Sequence, residues 1–195
     1  DNTTEVEETM SELLKLKEEG KILAIGACNV DAELFRRYET VTSLDSIQEK
    51  FSMIDREIEA ALAPLAHTSG ASVLAYSPLA MGMLTGKVST DRKFEADDVR
   101  SWSPRFTVEN RQRVNSFLSS ISPMAESYGV TIAQLVIAWT IAQQTVTHVL
   151  CGARNRAQAL ENAKAGQLEL RDNDLEMLNR LLEAANLDLP HPFQS

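Results

Sequence analysis

The sequence predicts an α/β fold, a parallel sheet with helices packed outside it. Three observations carry that expectation. Four short apolar runs, at residues 22–26, 44–48, 73–75 and 146–150, have the composition of buried strands. Helix-length segments stand between them, several with their apolar residues on one side. No internal repeat, low-complexity segment or domain linker interrupts the 195 residues, which are read as a single domain over 1–195.

Thr3 or Thr4 can cap a first helix whose opening turn is acidic (Glu5, Glu7, Glu8), and Gly20 is its expected stop. Val6, Met10, Leu13, Leu14 and Leu16 give that helix its apolar side. The strand at 22–26 leads into Ala27, Cys28 and Asn29. Asp31 caps the next helix, which runs to Tyr38. The strand at 44–48 ends near Gln48. A helix over 58–68 stops at Gly70. Val73, Leu74 and Ala75 suit a strand buried on both faces; Tyr76 and Ser77 end it. Pro78 breaks it, having no N–H to give a ladder. Residues 78–108 keep no periodic pattern, and a stretch that long in a compact domain is functional or disordered. A helix over 109–128 follows, which Pro123 is expected to kink or split. Thr131 caps a strongly apolar helix over 132–143. The strand at 146–150 leads to Cys151, Gly152, Ala153 and Arg154. Helices over 156–165 and 172–185 come next, the latter amphipathic through Leu175, Leu178, Leu181 and Leu182. The tail from Asn186 holds two prolines and is expected to run over the surface.

Composition narrows the function. The net charge is −9 and the pI about 4.9, which argues against a broad nucleic-acid or anionic-membrane surface. No apolar run approaches the roughly 20 residues of a membrane span. Two cysteines, Cys28 and Cys151, lie far apart, so reduced thiols and a cytoplasmic setting are expected rather than a disulfide framework. No signal peptide is recognised, and no metal site is expected. The chain opens on Asp1 rather than Met and runs straight into a helix, which reads as a fragment or a processed form.

In parallel α/β folds ligands bind at the C-terminal ends of the strands. Those ends carry Cys28 and Asn29, Gln48, Tyr76 and Ser77, and Gly152 to Arg154. Asn and Gln amides can hold a carboxamide, which needs a donor and an acceptor. Tyr76 can stack on a flat ring. Backbone amides of the glycine loop around Gly82 and Gly86, with Lys87, can take a pyrophosphate. Arg154 can pair with a phosphate in bidentate fashion. Gln158, Glu161 and Asn162 share a face of the following helix. Each residue also has a plainer reading: Asn29 a turn residue, Arg154 a solvated charge, Glu161 and Asn162 a helix surface.

Taken in order, several stretches resemble the aldo-keto reductase family. They are Glu8-Thr9 opening a helix, Gly20 through Asn29, Gln48 within Ile-Gln-Glu-Lys-Phe-Ser, Ala75 through Lys87, residues 133–139, and Gly152-Ala153-Arg154 with Gln158, Glu161 and Asn162. The resemblance covers nearly the whole chain. It implies a parallel (β/α)8 barrel of the TIM type, of which this chain would be about the C-terminal half, four strands plus extra helices. It also implies NADP(H) as cofactor. By resemblance, Asn29 and Gln48 hold the nicotinamide carboxamide and Tyr76 stacks on its ring. Ser77, Pro78, Leu79, Gly82 and Lys87 run along the pyrophosphate, with Arg100 able to reach it. Gly152, Arg154, Gln158, Glu161 and Asn162 surround the adenosine and its 2′-phosphate, and Arg154 favours NADP over NAD. Cys28 stands where serine is common, and a thiol is the weaker hydrogen-bonding group.

The family reduces a carbonyl with a Tyr acid assisted by Lys, Asp and His, all from the first half of the barrel. His67, His148, His191, Lys21 and Tyr38 do not match those positions, so no catalytic residue is assigned and the chain alone is expected to be inactive. The implied function is reduction of an aldehyde or ketone by hydride transfer, with this chain as the cofactor half. Its rivals are a non-catalytic nucleotide-binding or assembly module and a structural domain without ligand. Half a barrel would expose two parallel edges and an apolar inner face, so it is expected to join an N-terminal half or a second copy.

Overall fold

The computed structural model describes residues 3–193. Its sheet has four strands, β1 (Gly26–Cys28), β2 (Ser46–Lys50), β3 (Ser72–Tyr76) and β4 (His148–Leu150), in the order β1-β2-β3-β4 and parallel throughout. Among the described residues the α-helices are α1 (Val6–Glu18), α2 (Ala32–Glu39), α3 (Leu62–Ser69), α4 (Val108–Ser127), α5 (Ile132–Ile141), α6 (Arg156–Ala165) and α7 (Asp172–Ala185). This is the parallel α/β arrangement that the alternation of strand and helix predicts. No helix in the described residues is long and apolar enough to cross a membrane.

Several boundaries depart from expectation, each for a local reason. Glu5 occupies the N-cap of α1 without a side-chain cap bond, so neither Thr3 nor Thr4 serves as the cap. The carboxylates of Glu5 and Glu7 meet Arg37 on α2. Strand β1 begins at Gly26, not at residue 22, because pairing with β2 starts there, Gly26 opposite Ser46. A side chain at Gly26 would collide with Ser46. Strand β2 runs two residues past Gln48, since β3 continues opposite it to Tyr76. The helix expected over 58–68 divides into a 3₁₀ turn, Glu57–Ala60, and α3. Pro64 explains the break: its ring would strike the carbonyl four residues back, so an α-helix cannot extend through it from Ala60. Pro123, by contrast, does not split α4. It is exposed, and the carbonyl left without an N–H belongs to Ser119, also exposed, where water can satisfy it.

The two faces of the sheet differ. Ile47, Glu49, Val73 and Ala75 point to the helices and are buried, while their neighbours Ser46, Gln48, Lys50, Ser72, Leu74 and Tyr76 are only half-buried. The strands are therefore not buried on both faces, and Leu23, counted as strand core, is 90% exposed. The open face is mixed rather than apolar, which corrects the expected hydrophobic interior. Neither β1 nor β4 has an outer partner among the described residues.

The core lies between the sheet and the helices. Helix α5 is buried from Ala133 through Thr140, and a capping box starts it: Thr131 takes the Gln134 N–H while Gln134 returns a bond to the Thr131 backbone. Phe51, at the end of β2, stacks on Trp139 with centroids 6.1 Å apart. The tail is more tightly held than a surface run, with Leu189 and Pro192 buried.

Candidate functional site

The C-terminal ends of the strands open together, and the chain leaves two of them through the same backbone conformation. Asn29, just after β1, has φ 55°, and Ser77, just after β3, has φ 57°. A residue with a side chain costs about 1–2 kcal/mol in that left-handed region, so neighbours must hold it there. The Tyr76 hydroxyl donates to Asn29 Oδ1 at 2.7 Å. The Val30 amide donates to the Glu49 carboxylate at 2.8 Å. Gln48 Nε2 lies 3.8 Å from the Cys28 sulfur. Cys28, Asn29, Gln48 and Tyr76 thus gather at one rim of the sheet.

Beyond Ser77 the loop keeps turning left: Ala80, Met81, Gly82 and Gly86 all have positive φ. Buried Ala80, Met83 and Leu84 pin it from below, and the Thr85 hydroxyl donates to the Gly82 carbonyl at 2.6 Å. The loop forms one wall of a cleft of about 930 Å³, within the size range of small-ligand sites, about 300–1,000 Å³. Ser77, Pro78, Leu79, Gly82, Lys87 and Arg100 line it on the β3 side. Gly152, Arg154, Gln158, Glu161 and Asn162 line it on the side of β4 and α6. The structure brings these eleven together, with Cys28, Asn29, Gln48 and Tyr76 beyond its β3 end.

The helix residues with plain surface readings turn out to shape the loop between β4 and α6. Gln158 Oε1 accepts from the Arg154 amide at 2.8 Å, and Asn162 Nδ2 donates to the Gly152 carbonyl at 3.1 Å. Glu161 accepts from the Thr131 hydroxyl at 3.0 Å and faces the Lys87 ammonium at 3.6 Å. Asn155 caps α6, its side chain accepting from the Gln158 amide at 3.0 Å.

Charge in the cleft is balanced. Lys87, Arg92, Arg100 and Arg154 face Glu95, Asp97, Asp98 and Glu161. Arg100 is gripped by Asp98 through Nε at 2.9 Å, and its guanidinium lies 4.6 Å over the Phe94 ring. That grip, first through the side-chain bonds and then through the Arg100 amide, holds the Asp98 carboxyl down at about 2. Arg154 is exposed, and its charge also reaches Asp98.

Two groups at the rim escaped sequence reasoning. One is Glu49, 5% exposed on the helix side of β2. Burial pushes its pKa up, only partly offset by the Val30 and Asn29 amides. Alternation was the available signal: with Gln48 and Lys50 on the open face, Glu49 must face the helices. The other is Asp55, 1% exposed, which accepts both ends of the Arg105 guanidinium at 2.8 and 2.9 Å and meets Lys50 at 2.9 Å. Arg105 Nε reaches the Pro190 carbonyl at 2.9 Å, tying the tail to the rim. No local pattern announces that pair, because its members are fifty residues apart. Among the described residues no cluster of His, Cys, Asp and Glu could hold a metal.

Known proteins resemble this chain in sequence and fold. A family model described as the aldo/keto reductase family matches residues 1–183. An NADH-specific methylglyoxal reductase of Escherichia coli K12 is 38% identical over 93% of this chain and 55% of its own length. An aldo-keto reductase of Bacillus subtilis is 30% identical over 91% of this chain and 54% of its own. The solved structure of a glycerol dehydrogenase from Gluconobacter oxydans superposes with a TM-score of 0.89 at 30% identity, covering 100% of this chain and 59% of that one. The chain thus spans about half the length of the curated relatives it matches.

Proposed function

The chain belongs to the aldo/keto reductase family, and from that premise we propose that it supplies the cofactor-holding half of an NADP(H)-dependent oxidoreductase, which reduces a small aldehyde or ketone to the alcohol in the cytoplasm. The observation that carries the reading is the single cleft joining the β3 loop to the N-terminus of α6. A dinucleotide suits it. The rim amides of Asn29 and Gln48 offer a donor and an acceptor to a carboxamide. The left-handed glycine loop and Lys87 line the cleft, and such a loop with a nearby cation suits a pyrophosphate. Arg154, exposed and without a bidentate partner among the described residues, is the group for a 2′-phosphate. When bound, the cofactor supplies the hydride. Arg100 is already committed to Asp98, so its part is to fix the loop rather than to supply a spare charge.

This reading places the proton donor outside the chain. Tyr76, the rim phenol, is bonded to Asn29, and burial first, then the charges of Cys28, Glu49 and Asp55, raise its pKa. Among the described residues the rim offers no ready acid. That same observation favours a second reading, a catalytically silent nucleotide-binding or assembly module. Carbonyl-dependent oxidation of NADPH by the chain joined to an N-terminal barrel half would exclude the second reading.

Titration with NADPH and NADH, followed by quenching of the exposed Trp102, tests the first. NADPH should bind more tightly than NADH. Arg154→Ala should weaken NADPH by about 1–3 kcal/mol and NADH much less. Failure of both dinucleotides to bind the unaltered chain, alone and with an N-terminal barrel half supplied in trans, would sink the proposal. An unchanged NADPH affinity in the variant would remove Arg154 from the site.

A further inference from the structure

Burying a carboxylate without a cation is costly, and such a group is kept only where hydrogen bonds repay the lost water. Glu49 is such a group. It is 5% exposed, lies on the helix side of β2, and has no ion-pair partner among the described residues. It bonds instead to one turn. The Val30 amide donates to Glu49 Oε1 at 2.8 Å, and the neighbouring Asn29 amide donates to the Gln48 carbonyl on the same strand at 3.2 Å. That turn is the one in which Asn29 takes φ 55°. Its side chain then points across to the β3 rim, where Oδ1 accepts the Tyr76 hydroxyl at 2.7 Å. Asparagine tolerates the left-handed region better than other residues with side chains, and the turn that holds it is bonded to β2. Here the chain enters from β1, an edge strand of three residues. Such a strand offers little rigidity of its own, so the restraint must come from β2 next to it.

We infer that Glu49 is a positioning residue of the nicotinamide subsite: its buried carboxylate clamps the Asn29–Val30 turn and so keeps the Asn29 carboxamide against the Tyr76 hydroxyl. The inference rests on the cofactor reading of the cleft, and it assigns Glu49 no contact with cofactor or substrate. Loss of the clamp frees the turn, and Asn29 loses its aim. The adenosine end of the cleft, built from the β4–α6 loop, has no bond to this turn and keeps its shape.

The test separates the two ends of the ligand. NADPH and adenosine 2′,5′-bisphosphate, which has no nicotinamide, are titrated against the unaltered chain, Glu49→Ala and Glu49→Gln, with circular dichroism to check folding. Glu49→Ala should weaken NADPH about tenfold, the loss of roughly one hydrogen bond's worth of binding, and leave the bisphosphate within about twofold. Glu49→Gln keeps a carbonyl oxygen to accept the Val30 amide and should restore most of the NADPH affinity. If Glu49→Ala fails to fold, Glu49→Asp, which draws the carboxylate back by one methylene, should give the same split between ligands. An equal loss for both ligands, or no loss for either, overturns the clamp while the cofactor reading stands. Failure of the unaltered chain to bind either ligand, both alone and with an N-terminal barrel half supplied in trans, defeats the cofactor reading itself.

Discussion

At Asp55 four donors converge on one buried carboxylate: both ends of Arg105, the Lys50 ammonium and the Ser52 hydroxyl. Burial raises the pKa of Asp55, but the bonds and charge of Arg105 and then of Lys50 outweigh it, and the net shift is downward. Removing Arg105 leaves Asp55 with Lys50 as its only basic partner among the described residues. Arg105→Met should therefore cost about 3–5 kcal/mol in urea unfolding, and it should also release the tail at Pro190. Acid acts at the same scale. A carboxyl whose folded pKa is lowered adds stability that is present above its unfolded value and lost as pH falls through the folded one. Asp55 and Asp98 both follow that rule, with Asp98 held at about 2 against an ordinary 3.8. Glu49, raised by burial, has the opposite sign: its contribution is present below its unfolded value and fades as pH rises through the folded one. The urea midpoint should thus fall from the ordinary aspartate range down to about pH 2, and Asp98→Asn should flatten that limb. A midpoint equally steep in the variant would show that Asp98 is not responsible.

Among the elements, α5 matters most for the site, because its cap serves two purposes. Thr131 starts the helix through its capping box and also donates to Glu161, which faces Lys87 across the cleft. Thr131→Ala should cost about 1 kcal/mol, lowering Tm by about 2–4 °C in a chain of this length. It should also weaken NADPH, since Glu161 loses a fixed partner. A cap that acted on helix stability alone would lower Tm and leave NADPH affinity unchanged. The β3 loop is the counterpart element. Gly86 has φ 72°, and a Cβ there would sit 3.3 Å from Ile132 at the start of α5. The loop and the helix start are therefore packed as one unit.

Taken whole, the molecule is an open sheet with two unpaired parallel edges among the described residues and an inner face that mixes Gln48, Lys50, Leu74 and Tyr76. Unpaired edges recruit strands, and a parallel partner is the natural complement. We therefore expect the isolated chain to self-associate or to fold loosely, and to be rescued by an N-terminal barrel half supplied in trans. Light scattering on a size-exclusion column across a dilution series checks this. A monodisperse monomer with one cooperative melt would refute it. Because the inner face is mixed, association should run through the edges and not through apolar collapse.

The strand–helix rhythm, the caps at Asp31 and Thr131 and the stop at Gly70 were legible in the sequence because each depends on residues within one turn of one another. The polar residues just past β1 and β3 and between β4 and α6 were legible for the same reason, since each directly follows its own apolar run; Gln48 was not, because β2 continues two residues beyond it. What the chain order could not supply was set by contacts between distant segments. Strand β1 starts where β2 can pair with it, not where the apolar run begins. Glu49 gains its meaning from a turn nineteen residues earlier, and Arg105 from an aspartate fifty residues before it and a tail carbonyl eighty-five residues after it. Local periodicity therefore settled which elements form, while tertiary packing decided the register of the strands, which face stays open and which buried charges hold the rim, because those energies arise between segments that only the fold brings together.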